Sequence, residues 1–199
     1  MSLLDVEVRY PGDTEVRRLE YDVYARAGYI EPNEEKMIPV NAEYPEFRYI
    51  VVLDNDTVIA SIRVVVDQSP RFERFTLPTF KSFTIWDRAM DKLRRAASWE
   101  VIQVGTTVVR EDYRGGPALS LLLGRVVEMC RDEGIHYAVS TIDARFYKAL
   151  GGMGFRFKPI GESVYYMGSV TVPVMLDFSG LRRDRLMQVQ GVDAEAVVA

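Results

Sequence analysis

The sequence predicts an α/β (α+β) layer architecture, a mixed sheet with helices packed on it. Three observations carry this. Stretches of strand and helix character follow one another as strand, helix, several strands, helix, strand, helix, strands. A hairpin is written between Phe47 and Val66, where Asn55-Asp56 separates two apolar runs. A long run rich in β-branched residues, Trp99–Val109, leads into a glycine turn and then a leucine-rich helix.

Taken in order, Asp5–Tyr10 alternates as a first strand until Pro11-Gly12-Asp13-Thr14 breaks it. Asp13 or Thr14 then caps a helix in which Val16, Leu19, Tyr21, Val23 and Tyr24 recur at helical spacing up to Gly28. Residues 31–46 carry three prolines and several acids and read as a loop over a cleft. The hairpin strands are Phe47–Asp54 and Thr57–Val66, and Gln68–Thr84 is irregular. Ile85–Ala97 reads as a basic helix, followed by the Trp99–Val109 strand. Pro117 suits a first helical position and Gly134 the end of that helix. Ile135–Thr141 is a strand, Asp143 caps a short helix over Ala144–Leu150, and Phe155–Pro159 and Tyr165–Met167 are strand-like. Gly168-Ser169 turns the chain into a last strand, Val170–Phe178. The 199 residues suit one domain over 1–180, with a tail over 181–199 that is a loose helix or disordered.

Composition narrows the function. A net charge of −4 lacks the dense basic patch of a nucleic-acid binder. No stretch reaches the roughly 18 apolar residues of a membrane span, and the N-terminus lacks a basic, apolar leader, so the expectation is a soluble, cytoplasmic protein. Cys130 is the single cysteine and sits in an apolar run, which excludes an internal disulfide and reads as core. A Cys–His nucleophile would need His136, the single histidine, and the same scarcity argues against a zinc site, so no metal is expected.

The chemistry-bearing stretch is Tyr113-Arg114-Gly115-Gly116-Pro117 between strand and helix. First-turn N–H groups lack intrahelical partners and the helix dipole favours an anion there, while glycines admit close backbone approach. An ordinary strand-to-helix loop is the alternative. Arg63 lies within an apolar strand and needs a partner or water. Its fork suits an acceptor carboxylate, and it equally suits an ion pair with Glu100.

Thr107-Val108-Val109 followed by Arg110-Glu-Asp-Tyr-Arg-Gly-Gly116 and the leucine-rich helix resembles the acyl-donor segment of the GNAT acyltransferase superfamily, and Ala144–Gly151 with Gly154-Phe155 resembles its closing helix. Trp99-Glu100-Val101, Ser61-Ile62-Arg63, Phe146–Gly152, Pro159-Ile160-Gly161, Tyr165-Tyr166 and Val172-Pro173-Val174 resemble the acyl-homoserine lactone synthases and the long-chain N-acyl amino acid synthases, over roughly Arg18 to Asp177. The resemblance implies a mostly antiparallel, twisted sheet with splayed central strands. It also implies an N-acyltransferase that moves an acyl group from an acyl-carrier-protein or acyl-CoA thioester to a small amine such as an amino acid, with no tightly bound cofactor.

The same resemblance implies roles. Glu100 is the general base that strips the attacking ammonium, and Tyr147 protonates the leaving thiolate. Arg63 binds the acceptor. Val108, Val109, Tyr113, Arg114, Gly115, Gly116 and Ala118 hold the donor. Phe80, Phe83 and Trp86 line the acyl chain's path, alongside Phe75. The alternatives are a salt-bridged surface Glu100, a core-packed Tyr147 ring and an aromatic cluster that is simply core. The chain departs from its relatives at three places: the glycine loop is one residue short, Ile102-Gln103 stands where lactone synthases carry Ser-Arg, and Glu34, Glu35, Glu43 and Glu46 replace paired aspartates. An autoinducer synthase and a silent acyl-thioester sensor therefore stay open as alternatives. The basic run at Lys92, Arg94 and Arg95 suits an acidic carrier protein or is a solvated helix face.

Overall fold

The computed structural model describes residues 4–38, 47–66 and 82–178. Among them run β1 (Leu4–Arg9), α1 (Thr14–Arg26), β2 (Phe47–Asp54), β3 (Thr57–Val66), α2 (Asp87–Arg95), β4 (Val101–Val109), α3 (Ala118–Asp132), β5 (Tyr137–Asp143), α4 (Ala144–Gly152), β6 (Lys158–Pro159), β7 (Val164–Tyr166) and β8 (Ser169–Asp177). The strands follow the order β1-β2-β3-β4-β5-β8-β6, with β7 on β8. Pairings β1/β2, β2/β3, β5/β8, β6/β8 and β7/β8 are antiparallel and β4/β5 is parallel, the mixed, mostly antiparallel sheet that the sequence predicts. The β4/β5 register covers Val101–Gln103. The predicted tail over 181–199 lies outside the described residues.

The chain divides into two compact units, Met1–Val66 with Val104–Glu128, and Asp67–Gln103 with Met129–Ala199. In the first, Asn55 and Asp56 both take positive φ (47° and 63°), the turn whose twist matches paired strands. Phe47, Tyr49, Val51 and Leu53 face one side of β2, and α1 lays Val16 and Leu19 on them with Val58 and Val108 in the same cluster. Asp13 caps α1 through Val16 N–H at 3.0 Å.

In the second unit, β5 and β8 pair from Tyr137/Asp177 to Asp143/Thr171. Ala89 and Leu93 of α2 pack with Val101, Val139, Ile160 and Met175. Segment 84–86 is tied to residues 160–162: Trp86 N–H donates to Ile160 O, Glu162 N–H to Thr84 O, and Ile85 bridges Gly161. A Cβ at Gly161 would lie 2.2 Å from Thr84 O, so no other residue fits.

Helix α3 buries Ala118, Leu122, Leu123, Val126, Val127, Met129 and Cys130. Gly134 (φ 69°) ends it, and Ile135 N–H closes back on Cys130 O at 2.7 Å. Three elements differ from expectation. Trp99-Glu100 forms a 3-10 turn, Ser98–Glu100, because the Glu100 carboxylate accepts the Ala97 N–H at 2.6 Å and closes the chain on itself. The Phe155–Pro159 strand shrinks to Lys158–Pro159, since Phe155 N–H is held by Leu150 O at the end of α4. The last turn sits one residue early, with positive φ at Met167 and Gly168.

Candidate active site

In the first unit β4 ends at Val109, and a 3-10 turn, Glu111–Tyr113, carries the chain to α3. Gly115 takes φ 79°, which strains other residues, and a Cβ at Gly116 would press to 3.2 Å on Tyr113 O, a tight contact. Tyr113 donates to Asp54 Oδ2 at 2.5 Å, and that bond raises its pKa. Arg110 lies over the Tyr113 ring (4.8 Å) and forks Asp112 at 2.8 and 2.7 Å. Arg114 folds back on Val109 O at 3.4 Å. Val108 and Ala118 are each 1% exposed, so what they can offer a donor is backbone. Beside this turn a depression of about 390 Å³ is lined by Arg26, Arg110, Glu111 and Asp112. Arg26 pairs with Glu111 at 3.3 Å, so both arginines there are matched by acids.

Arg63 belongs to the same unit. Its ion-pair partner is Glu20 of α1, through Nη2 to Oε2 at 2.7 Å, which corrects the expected pairing with Glu100. Tyr49, directly opposite Arg63 in the register, donates to the same oxygen at 3.3 Å. The guanidinium sits over the Phe47 and Tyr49 rings at 5.2 and 5.6 Å. Burial pushes the Glu20 carboxyl above its ordinary value against the pull of Arg63. Burial, with Glu20 nearby, pushes Tyr24 and Tyr49 up to about 12. Thr106 of β4 sits at φ 24°, a strained conformation for a β-branched residue.

The other predicted residues fall in the second unit. Glu100 spends Oε2 on Ala97 N–H and sets Oε1 3.1 Å from His136 Nδ1. His136 N–H in turn donates to Glu100 O at 2.8 Å. The sequence did not point to this pairing of His136, although a lone histidine beside the start of a strand was its signal. Cys130 is 1% exposed and burial pushes its thiol up to about 12, the behaviour of a core residue. Tyr147, on the helix capped by Asp143, donates to Phe157 O at 3.2 Å. Phe83 is buried edge-on against Tyr166 (5.4 Å), Trp86 is 47% exposed, and Phe75 and Phe80 lie outside the described residues, as do Glu43 and Glu46. Lys92 pairs with Asp177 and lies 5.2 Å from the Tyr137 ring centroid, while Arg94 pairs loosely with Asp91 on an exposed face.

Among solved structures, the chain is similar to the CoA-dependent acyl-homoserine lactone synthase BjaI, solved with SAM and isopentyl-CoA (TM-score 0.68, 17% identity, 94% of this chain and 88% of that one). It is similar to the AHL synthase LasI (0.66, 12%, 90% and 92%) and to FeeM, an N-acyl amino acid synthase from uncultured soil microbes (0.64, 15%, 90% and 93%). At such identities the likeness is one of fold, and that fold is GNAT-like. No curated protein matches the chain. The family model of N-acyl amino acid synthase FeeM matches residues 15–177, which takes in the Arg63 cluster, the glycine turn, Glu100 and Tyr147. The chain therefore belongs to the FeeM family of N-acyl amino acid synthases and is an acyltransferase.

Proposed function

We propose that this acyltransferase moves an acyl group from a phosphopantetheine thioester, on acyl-carrier protein or CoA, to the amine of a small molecule such as an amino acid. The supporting observation lies in one compact unit. The strand that feeds the glycine turn neighbours the strand bearing Arg63, and α1 is bonded to the latter through Glu20 to Arg63.

In this reading Arg63 binds the acceptor's carboxylate, since a guanidinium fork matches carboxylate geometry. Within the second unit, the role that the family resemblance implies for Glu100 is general base toward an ammonium nucleophile, directly or through a water, with His136 steadying the carboxylate. The free amine nitrogen attacks the thioester carbonyl, the C–S bond breaks, the Tyr147 hydroxyl gives its proton to the thiolate, and the second proton shed by the nitrogen as the amide forms restores the tyrosine. Backbone groups of Val108 and Val109 receive the pantetheine amides, and Tyr113, Arg114, Gly115, Gly116 and Ala118 receive the phosphate end. Phe80, Phe83 and Trp86 are assigned to the acyl chain. Acid–base chemistry by side chains suffices, so no metal or tightly bound cofactor is assigned. The short glycine loop favours a carrier protein, which brings its own docking surface, over the free pyrophosphate of CoA.

Acyl-carrier protein and acyl-CoA of equal chain length, each offered with a panel of amino acids and amines, test this, with products identified by mass spectrometry. An N-acyl amino acid is the expected product. A homoserine lactone would turn the assignment to an autoinducer synthase, although Ile102 is buried and Gln103 Oε1 has no partner where those enzymes carry Ser-Arg. Thioester binding without turnover would make the chain a sensor.

A further inference from the structure

Glu20 is placed where an apolar residue would be expected. It lies on the inward stripe of α1, four residues after Val16 and four before Tyr24, and is 0% exposed. Removing a carboxylate and a guanidinium from water is costly, and an apolar pair of similar volume often packs at least as well. The pair is also incompletely satisfied. Among the described residues, Glu20 Oε1 and Arg63 Nε are buried without partners, and so is Ser61 Oγ, two residues before Arg63 on the same face of β3. An ion pair kept for stability alone has little reason to leave three polar atoms in this state. Meanwhile the Arg63 side chain, anchored from within by Glu20, remains 15% exposed.

We propose that Glu20 is a positioning residue for the acceptor. Its carboxylate, with the Tyr49 hydroxyl on the same oxygen, fixes the Arg63 guanidinium so that a free part of the fork meets the acceptor's carboxylate, and Glu20 acts only through Arg63. A free arginine loses rotamer entropy when it binds, and an anchored one has lost it before the ligand arrives. The charges select as well. Glu20 and Arg63 are together neutral, so they favour an acceptor that is itself neutral overall while offering a carboxylate, which is the zwitterion of an α-amino acid. This inference rests on the reading that Arg63 binds the acceptor.

The test measures KM and kcat for donor and acceptor separately, with the α-amino acid that the product screen identifies and with its carboxamide. Glu20→Gln keeps the shape and removes the charge. The expected result is an acceptor KM raised on the order of tenfold, with kcat and donor KM nearly unchanged, and a penalty that disappears for the carboxamide. Tyr49→Phe moves the acceptor KM in the same direction by less, and it decides by the same criterion where Glu20→Gln does not fold. A penalty equal for acid and carboxamide, or a loss of Tm with unchanged acceptor KM, overturns the role of Glu20. Arg63→Lys separates the two assignments. If it leaves the acceptor KM unchanged, Arg63 is not the acceptor's partner and both fall. If it raises that KM while Glu20→Gln does not, the role of Glu20 alone falls.

Discussion

Glu20 and Glu100 are both carboxylates with a cationic or ionisable partner, and their surroundings make them different objects. Glu20 is sealed under α1, with Arg63, Tyr49 and Tyr24 around it. The Glu100 side chain is 18% exposed, and its partner His136 is 45% exposed. Water reaches His136 freely and cannot reach Glu20 at all, while Glu100 and Arg63 lie between these extremes. The buried Glu20 end fixes its pair in place, whereas the Glu100–His136 pair has an exposed partner that water can displace.

The largest effect expected from this contrast is that of Arg63→Ala, which strands the Glu20 charge and destabilises the fold by about 3–5 kcal/mol near neutral pH. The pH dependence gives its cause. The folded Glu20 carboxyl titrates above its ordinary value of 4.5, so the folded state holds that proton more tightly than the unfolded one. Such a group contributes stability in acid that is lost as pH rises from 4.5 through the folded value. Removing Arg63 pushes the folded value higher still. Denaturant melts of Arg63→Ala should thus show the deficit shrinking as pH falls through this window, and Arg63→Ala/Glu20→Gln should lose the slope. A deficit independent of pH in both would mean that lost packing, not a stranded charge, is the cause.

Next in size, Glu100→Gln should lower kcat on the order of a hundredfold if Glu100 takes the acceptor's proton. Stability should move by no more than about 1 kcal/mol, since exposed pairs contribute little. Wild-type kcat in this variant would remove Glu100 from the chemistry and leave it as the closing bond of the Ser98–Glu100 turn.

Much of this was legible in the sequence. The hairpin followed from Asn55-Asp56, the helix end from Gly134 and the helix start from Asp143, because each is set by bonds between near neighbours. The glycine turn before α3 was legible for the same reason. Glu20 was not, because a glutamate in an amphipathic helix ordinarily faces water. Two clues were present: its i+4 and i−4 spacing to Val16 and Tyr24, and an arginine on an apolar strand in need of a partner. Joining them needs contact between residues 43 apart, which periodicity does not encode. The local role of Glu100 was hidden for the opposite reason. The Trp99-Glu100-Val101 motif drew it toward chemistry, while its nearest partner, Ala97 N–H, is three residues away.

The smallest effect concerns charges with no burial at all to amplify them. Arg94 and its partner Asp91 are both more than half exposed, at 3.4 Å, and Arg95 is exposed beside them. Such charges add almost nothing to stability. What they can do is steer a partner, since complementary charge raises encounter rates and is screened by salt over a Debye length of about 8–10 Å. We therefore expect Arg94→Glu/Arg95→Glu to leave Tm within about 1 °C of the parent. It should raise KM for acyl-carrier protein by a few-fold at low salt, with the difference fading as salt rises, while KM for acyl-CoA stays unchanged. Steady-state kinetics with both donors across a salt series checks this. A rise in KM for both donors alike would point to a disturbed site, because a free thioester needs no protein docking surface. No change for either donor would return α2's outer face to the status of solvated charge and move the search for a carrier-binding surface elsewhere, with the acyltransferase assignment intact.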